Sequence, residues 1–230
     1  MTTELIILGI SLMCACALFV ALFLRAFYFE RFKKALVFKG IASICFVCLG
    51  ALTCFTGNIS RTSLLVFIGL CFGIVGDEVI ALCQVCPKYD TPAFVGGGTV
   101  FLVGHVFYIV ALLSFGKISW ISIAMFFAVA VIVSFVYERK RRFLRGEMKL
   151  PLALYLGIVT FVGALAVGLL NARVTVGAGM FAVGGLLFAT SDNILFAYKL
   201  GEKPRFIQNV ALHVTYYLAQ LLIAWSIAWI

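Results

Sequence analysis

The sequence predicts an all-α integral membrane bundle of eight transmembrane helices, and three observations carry that expectation. The 230 residues are 64% hydrophobic and only 12% charged, far from the balance of a water-soluble domain. Mean hydropathy is +1.17. Apolar runs recur down the whole chain, each long enough to cross a hydrocarbon core of about 30 Å as a helix. Runs such as "IILGISLMCACALFVALFL" are continuous, whereas a β-barrel would alternate lipid-facing and lumen-facing residues.

Taken in order, the spans fall at 4–24, 40–57, 62–83, 93–115, 118–137, 151–170, 174–198 and 206–229. The first has no basic residues ahead of it and no small-residue cleavage site, so it is expected to persist as a helix and not to be removed as a signal. Glycines at 69, 73 and 76 in the third span, and at 184 and 185 in the seventh, permit close helix approach. The longest polar break is "ERKRRFLRGEMKL", 138–150. It divides a single transmembrane domain, 1–230, into two four-span halves, 1–115 and 118–230.

The net charge of +9 raises the possibility of a nucleic-acid partner, but the basic residues are one-sided. Fifteen of the eighteen Lys and Arg follow odd-numbered spans; only Arg61, Lys117 and Arg173 follow even-numbered ones. By the positive-inside rule the basic segments are cytoplasmic and both termini lie outside. Membrane lipid, and no nucleic acid, is the implied partner of that charge. The eight cysteines all lie in the first half, with two C-x-x-C pairs, Cys45/Cys48 and Cys83/Cys86. Two thiols make half a zinc site and Cys45/Cys48 is mid-span, so apolar packing and no metal is the reading.

The two halves end alike. "FGIVGDEVI" then "GHVFYIVALL" in the first corresponds to "LFATSDNIL" then "LHVTYYLAQLL" in the second. Each has an Asp in its third span and His-Val-x-Tyr in its fourth: Asp77 with His105 and Tyr108, Asp192 with His213 and Tyr216. An offset of four spans keeps orientation, giving an expected parallel repeat about an axis along the membrane normal.

Ionisable groups within a bilayer are costly and face a cavity or a partner. Asp77, Glu78, His105, Asp192 and His213 are such groups. At 1.5 Å per residue, Asp77, Asp192 and His213 lie about 9 to 10 Å from the basic ends of their spans, and His105 roughly 18 Å. On the last span Asn209, His213, Tyr216, Tyr217 and Gln220 recur at helical spacing and form one inward polar stripe. Glu78 points some 100° from Asp77 and is expected to support the site or face a loop. The residues allow several chemistries. A metal hydrolase would need three or more convergent ligands. An intramembrane aspartyl protease would need G-x-G-D, but Val75 occupies the first Gly position and Ser191 the tyrosine position. Interhelical hydrogen bonding alone is a further reading, and paired-carboxylate hydrolysis of a lipid is another.

"GIVGDEVI", "GHVFYI", "GGLLFATSDNILF" and "TYYLAQLLIA" resemble, in order and spacing, the successive motifs of the YhhN family, the lysoplasmalogenases, from about residue 60 to the C-terminus. The resemblance implies an eight-helix hydrolase that cleaves the vinyl ether of lysoplasmalogens to a fatty aldehyde and a glycerophospho-base. It places the family's two aspartates on Asp77 and Asp192, its His-x-x-Tyr on His105 and Tyr108, and its Tyr-x-x-Gln on Tyr217 and Gln220. Glu78 departs from the apolar residue many relatives carry after the first Asp.

Vinyl ether cleavage needs a proton donor to the alkene carbon and a carboxylate to stabilise the resulting cation. Asp77, beside Glu78 and glycines, is the expected acid, and Asp192 the ionised partner. No cofactor is required. His213, Tyr217 and Gln220 are candidates to orient water or the leaving oxygen, with Asn209, Tyr216, His105 and Tyr108 beside them. Lys88, Lys199, Lys203 and Arg205 are candidates to hold the phosphate of a lysophospholipid substrate. The rival class is a lipid transporter or lipid-binding protein built on the same cavity.

Overall fold

The computed structural model describes residues 2–56, 59–114, 119–139, 149–172, 175–199 and 205–229. These form eight α-helices: α1 Thr3–Tyr28, α2 Phe32–Phe55, α3 Arg61–Val85, α4 Asp90–Leu113, α5 Trp120–Arg139, α6 Lys149–Ala172, α7 Val176–Lys199 and α8 Phe206–Ser226. Short 3-10 turns follow at Pro87–Tyr89 and Ile227–Trp229, and no strand occurs among the described residues. Six helices (α1 to α4, α7 and α8) are long and apolar enough to cross a membrane, while α5 and α6 contribute apolar stretches Trp120–Ile132 and Leu154–Leu170. The fold is therefore the expected multi-pass helical bundle. Lys117, Arg173, Lys203 and the basic run 140–148 lie outside the described residues.

The helix starts differ from the apolar runs in one consequential place. Helix α2 begins at Phe32, eight residues before the hydrophobic run that predicts it, because nothing in "FKKALVFKG" breaks a helix: there is no Pro, and the single Gly is terminal. Glu30 takes the left-handed conformation (φ 55°), which closes the chain sharply between α1 and α2. As a result Lys39, expected in a basic connection, sits about two turns inside α2.

Most consecutive helices pack on one another, α3 on α4 and α7 on α8 most extensively, whereas among the described residues α4 meets α6 and not α5. Helix α8 also packs on α2, and α6 on α4, so the last helix closes against the first half. The main core is an apolar cluster drawn from both halves, including Phe46, Leu70, Phe101, Phe181, Phe188 and Ile223, and a small second cluster joins Phe23, Ala26 and Ala35. Small residues set its closest approaches. A Cβ on Gly69 would enter the Tyr108 ring, and one on Gly73 would lie 2.6 Å from Gln220 Nε2. These two positions let α3 pass beside the polar groups of α4 and α8.

Candidate active site

Asp77 is almost fully buried and is held by three donors. Lys39 Nζ lies 3.0 Å from its Oδ1. The Ser43 hydroxyl donates to Oδ2 at 2.7 Å, and the Tyr216 hydroxyl donates to the same oxygen at 2.8 Å. Lys39 and Ser43 are one helical turn apart on α2, so a single face of that helix presents both donors to α3. The ammonium is itself fixed, since it also donates to the Asp77 backbone oxygen at 3.1 Å. Only 5% of Lys39 is exposed, and a buried charge of this kind is tolerated when paired and hydrogen-bonded.

A relay runs behind that carboxylate. Tyr108 donates to Gln220 Oε1 at 3.3 Å, Gln220 Nε2 donates to the Tyr216 oxygen at 2.9 Å, and Tyr216 donates to Asp77. Tyr217 lies 3.0 Å from Ser43 Oγ and 3.2 Å from the Lys39 carbonyl. Helices α2, α3, α4 and α8 are thus joined through one polar knot in an apolar interior.

Asp192 has different surroundings. Its Oδ2 accepts from the Tyr155 hydroxyl of α6 at 2.8 Å. Its neighbours Ser191 and Asn193 donate back to their own helix at Phe188 and Ala189. Among the described residues no cation lies within ion-pair distance of Asp192.

The two carboxylates line one cavity of about 310 Å³. Phe94, Phe101, Ile80, Leu195 and Leu212 supply apolar walls, and Asn209, His213 and Tyr216 bring the polar stripe of α8 to it. His213 Nδ1 lies 2.8 Å from the Asn209 carbonyl, which only accepts; Nδ1 therefore carries a proton, and in the neutral ring Nε2 carries the lone pair. The ring is seated against Phe23 of α1, with centroids 4.5 Å apart. Gln84, Asp90, Tyr198 and Lys199 lie toward the end of the bundle where α3, α7 and the start of α4 meet.

The chain is matched over residues 34–227 by the model of the YhhN family. It belongs to the YhhN family. No curated protein and no solved structure matches it. In this YhhN protein, Asp77, Asp192, Asn209, His213, Tyr216 and Lys199 line the same cavity. His105, Tyr108, Tyr217 and Gln220 do not line it. His105 is packed on Phe188, 4.6 Å between centroids, with Nδ1 bound to the Phe101 carbonyl, and the other three buttress Asp77 from behind. Arg205 is exposed at the start of α8 and away from the cavity, and Lys88 extends over the Tyr89 ring. Lys199 is ion-paired with Asp90, a partner the sequence does not suggest. Glu78 lies against the Cβ-less face of Gly40, outside the cavity. All eight cysteines are unpaired, and the described residues hold no group of three His, Cys, Asp or Glu suited to a metal. Three further residues in contact with the two aspartates, Lys39, Ser43 and Tyr155, emerge only from the packing.

Proposed function

We propose that this YhhN protein is a membrane-embedded hydrolase that cleaves the vinyl ether of single-chain alkenyl lysophospholipids, releasing a fatty aldehyde and a glycerophospho-base. The observation that carries the reading is the unequal pair: two aspartates line one cavity, Asp77 against a lysine and Asp192 against a neutral phenol. Two carboxyls in environments that separate their protonation give an acid and a base in one site.

The roles are assigned here from the partner of each acid: Asp77, against the Lys39 ammonium, is the anionic member and Asp192, against the Tyr155 phenol, the proton donor, the opposite of the order expected from the neighbouring residues alone. Asp192 gives its proton to the alkene carbon, and the oxocarbenium ion that results is stabilised by the Asp77 carboxylate. Water adds to the cationic carbon and passes a proton to His213 Nε2, forming the hemiacetal. The hemiacetal hydroxyl returns a proton to Asp192 as the carbon–oxygen bond breaks, and the leaving glycerol oxygen takes the proton from His213. One water is consumed and every side chain regains its starting state. The cavity opens to the basic side, which this reading takes as cytoplasmic.

Aldehyde release by the purified protein from a defined alkenyl lysolipid, in the presence of a chelator, tests the proposal. Turnover is expected in the wild type and loss of at least about a thousandfold in Asp77→Asn and in Asp192→Asn, both still folded and membrane-inserted. Lipid binding or transfer without aldehyde in the wild type would overturn the hydrolase and favour a transporter. Turnover lost on chelation and restored by zinc would overturn the metal-free mechanism.

A further inference from the structure

One side chain in the cavity wall is left unmatched by everything described above. Asn209 is 1% exposed, lines the cavity, and neither its Nδ2 nor its Oδ1 has a hydrogen-bond partner. Its backbone is fully used, since the carbonyl holds His213 Nδ1; the carboxamide is not. A buried polar atom without a partner is costly, and a residue carrying two of them in a cavity wall is suited to a ligand that donates to Oδ1 and accepts from Nδ2.

A hydroxyl group has that chemistry. It donates one hydrogen to Oδ1 and accepts one from Nδ2 in a small ring of two hydrogen bonds. A phosphate only accepts, an ammonium only donates, and an acyl ester has no donor. The position along α8 adds a second constraint. Asn209 precedes His213 by one turn, about 6 Å nearer the start of the helix and the cavity mouth. In a glycerolipid whose ether bond lies at the level of Asp77, Asp192 and His213, and whose phosphate lies at the mouth, the carbon between them is the central glycerol carbon.

We infer that Asn209 recognises the free hydroxyl on the central glycerol carbon of the substrate and is the residue by which the site selects lipids with one chain. The inference rests on the lysolipid reading of the cavity. Attaching a second acyl chain converts that hydroxyl to an ester, which removes the donor, leaves Oδ1 unmatched and forces an additional chain against the α8 wall. Selection against two-chain lipids therefore has a polar cause as well as a steric one. Leu212 and Phe94, which also line the cavity, offer only apolar surface and cannot make this distinction.

The test uses binding of lipids that cannot be cleaved, so that it reads independently of catalysis. Saturated 1-O-alkyl lysophospholipid and its 2-deoxy counterpart, of equal chain length and headgroup, are titrated into the full-length protein in mixed micelles. The wild type is expected to bind the hydroxyl form at least about tenfold more tightly. Asn209→Leu, close in volume but apolar, is expected to bind both lipids alike, with the deoxy lipid bound no worse than by wild type. Asn209→Ser, which keeps a donor and an acceptor, is expected to retain part of the preference and serves if the leucine variant does not fold. Equal binding of the two lipids by the wild type, or an undiminished preference in Asn209→Leu, would overturn the inference. The wild-type aldehyde assay reports separately on the hydrolase reading: binding preference without turnover leaves the hydroxyl contact standing and removes only the chemistry.

Discussion

Replacing Lys39 by methionine removes a charge while keeping nearly the same volume, and it separates what the ion pair does for the fold from what it does for the site. Removing one partner of a buried pair typically costs about 3 to 5 kcal/mol, because the remaining charge is left in a poorly solvating interior. Here Asp77 retains the Ser43 and Tyr216 hydroxyls, so the lower end, about 3 kcal/mol, applies. That corresponds to a folding equilibrium shifted by roughly a hundredfold. The assay is reversible unfolding in mixed micelles, run on Lys39→Met, on Asp77→Asn and on the double variant. Asp77→Asn alone strands the lysine and is expected to cost a similar amount, whereas the double variant, with no unpaired charge, is expected to lie within about 1 kcal/mol of wild type. Turnover is expected to remain lost in the double variant. Strictly additive costs in the cycle, or wild-type stability and turnover in Lys39→Met, would refute the coupling between α2 and α3 on which the proposed role of Asp77 depends.

Tyr155→Phe removes the phenol hydroxyl that donates to Asp192 and is expected to lower kcat about ten- to a hundredfold with little change in KM, as measured by steady-state aldehyde release. Gly69→Ala drives a methyl group into the Tyr108 ring, so a loss of about 1 to 3 kcal/mol is expected in the same unfolding assay; Gly98→Ala, with open space around its Cβ position, is the matched control, whose change is expected to be much smaller. Lysolipids are expected to turn over much faster than the corresponding two-chain alkenyl lipids. Charge reversal in Lys199→Glu, which places two acids together in place of the pair with Asp90, is expected to raise KM more than it lowers kcat; unchanged kinetics would remove Lys199 from the headgroup site.

The parts of the fold and site that could be read in advance are those where polarity is expensive. Asp77 and Asp192 stand out because nothing else acidic except Glu78 occurs inside an apolar run, and the α8 stripe stands out because five polar residues repeat at helical spacing. Lys39 is hidden by its neighbours. It follows Arg31, Lys33 and Lys34 closely and reads as the last member of a basic connection, although the lack of any helix breaker after Phe32 was a signal that α2 extends through it. Tyr155 is a lone hydroxyl in "PLALYLGIV", where a tyrosine near a helix end is ordinarily an interfacial anchor. The pairing of Lys199 with Asp90 joins residues 109 apart, and single-sequence spacing carries no information on such a pair. His105 and Tyr108 illustrate the opposite case: their residue types suggest the site, but the face of α4 that bears them turns toward Phe188, Phe181 and Gln220 and away from the cavity.

The clamp on Asp77 also bears on how the chain enters its membrane during synthesis. Lys39 emerges from the ribosome 38 residues before the carboxylate that neutralises it, and the two tyrosines that complete the knot, Tyr216 and Tyr217, come near the very end. A charged residue in a lone inserting helix is penalised by the translocon, at up to about 3 kcal/mol near the bilayer centre, and Lys39 lies about two turns in. Helices α2 and α3 are therefore better partitioned as a hairpin than singly, with the lysine held at the interface until Asp77 arrives. Until α8 docks, the carboxylate lacks the Tyr216 hydroxyl and the pair is held by α2 and α3 alone.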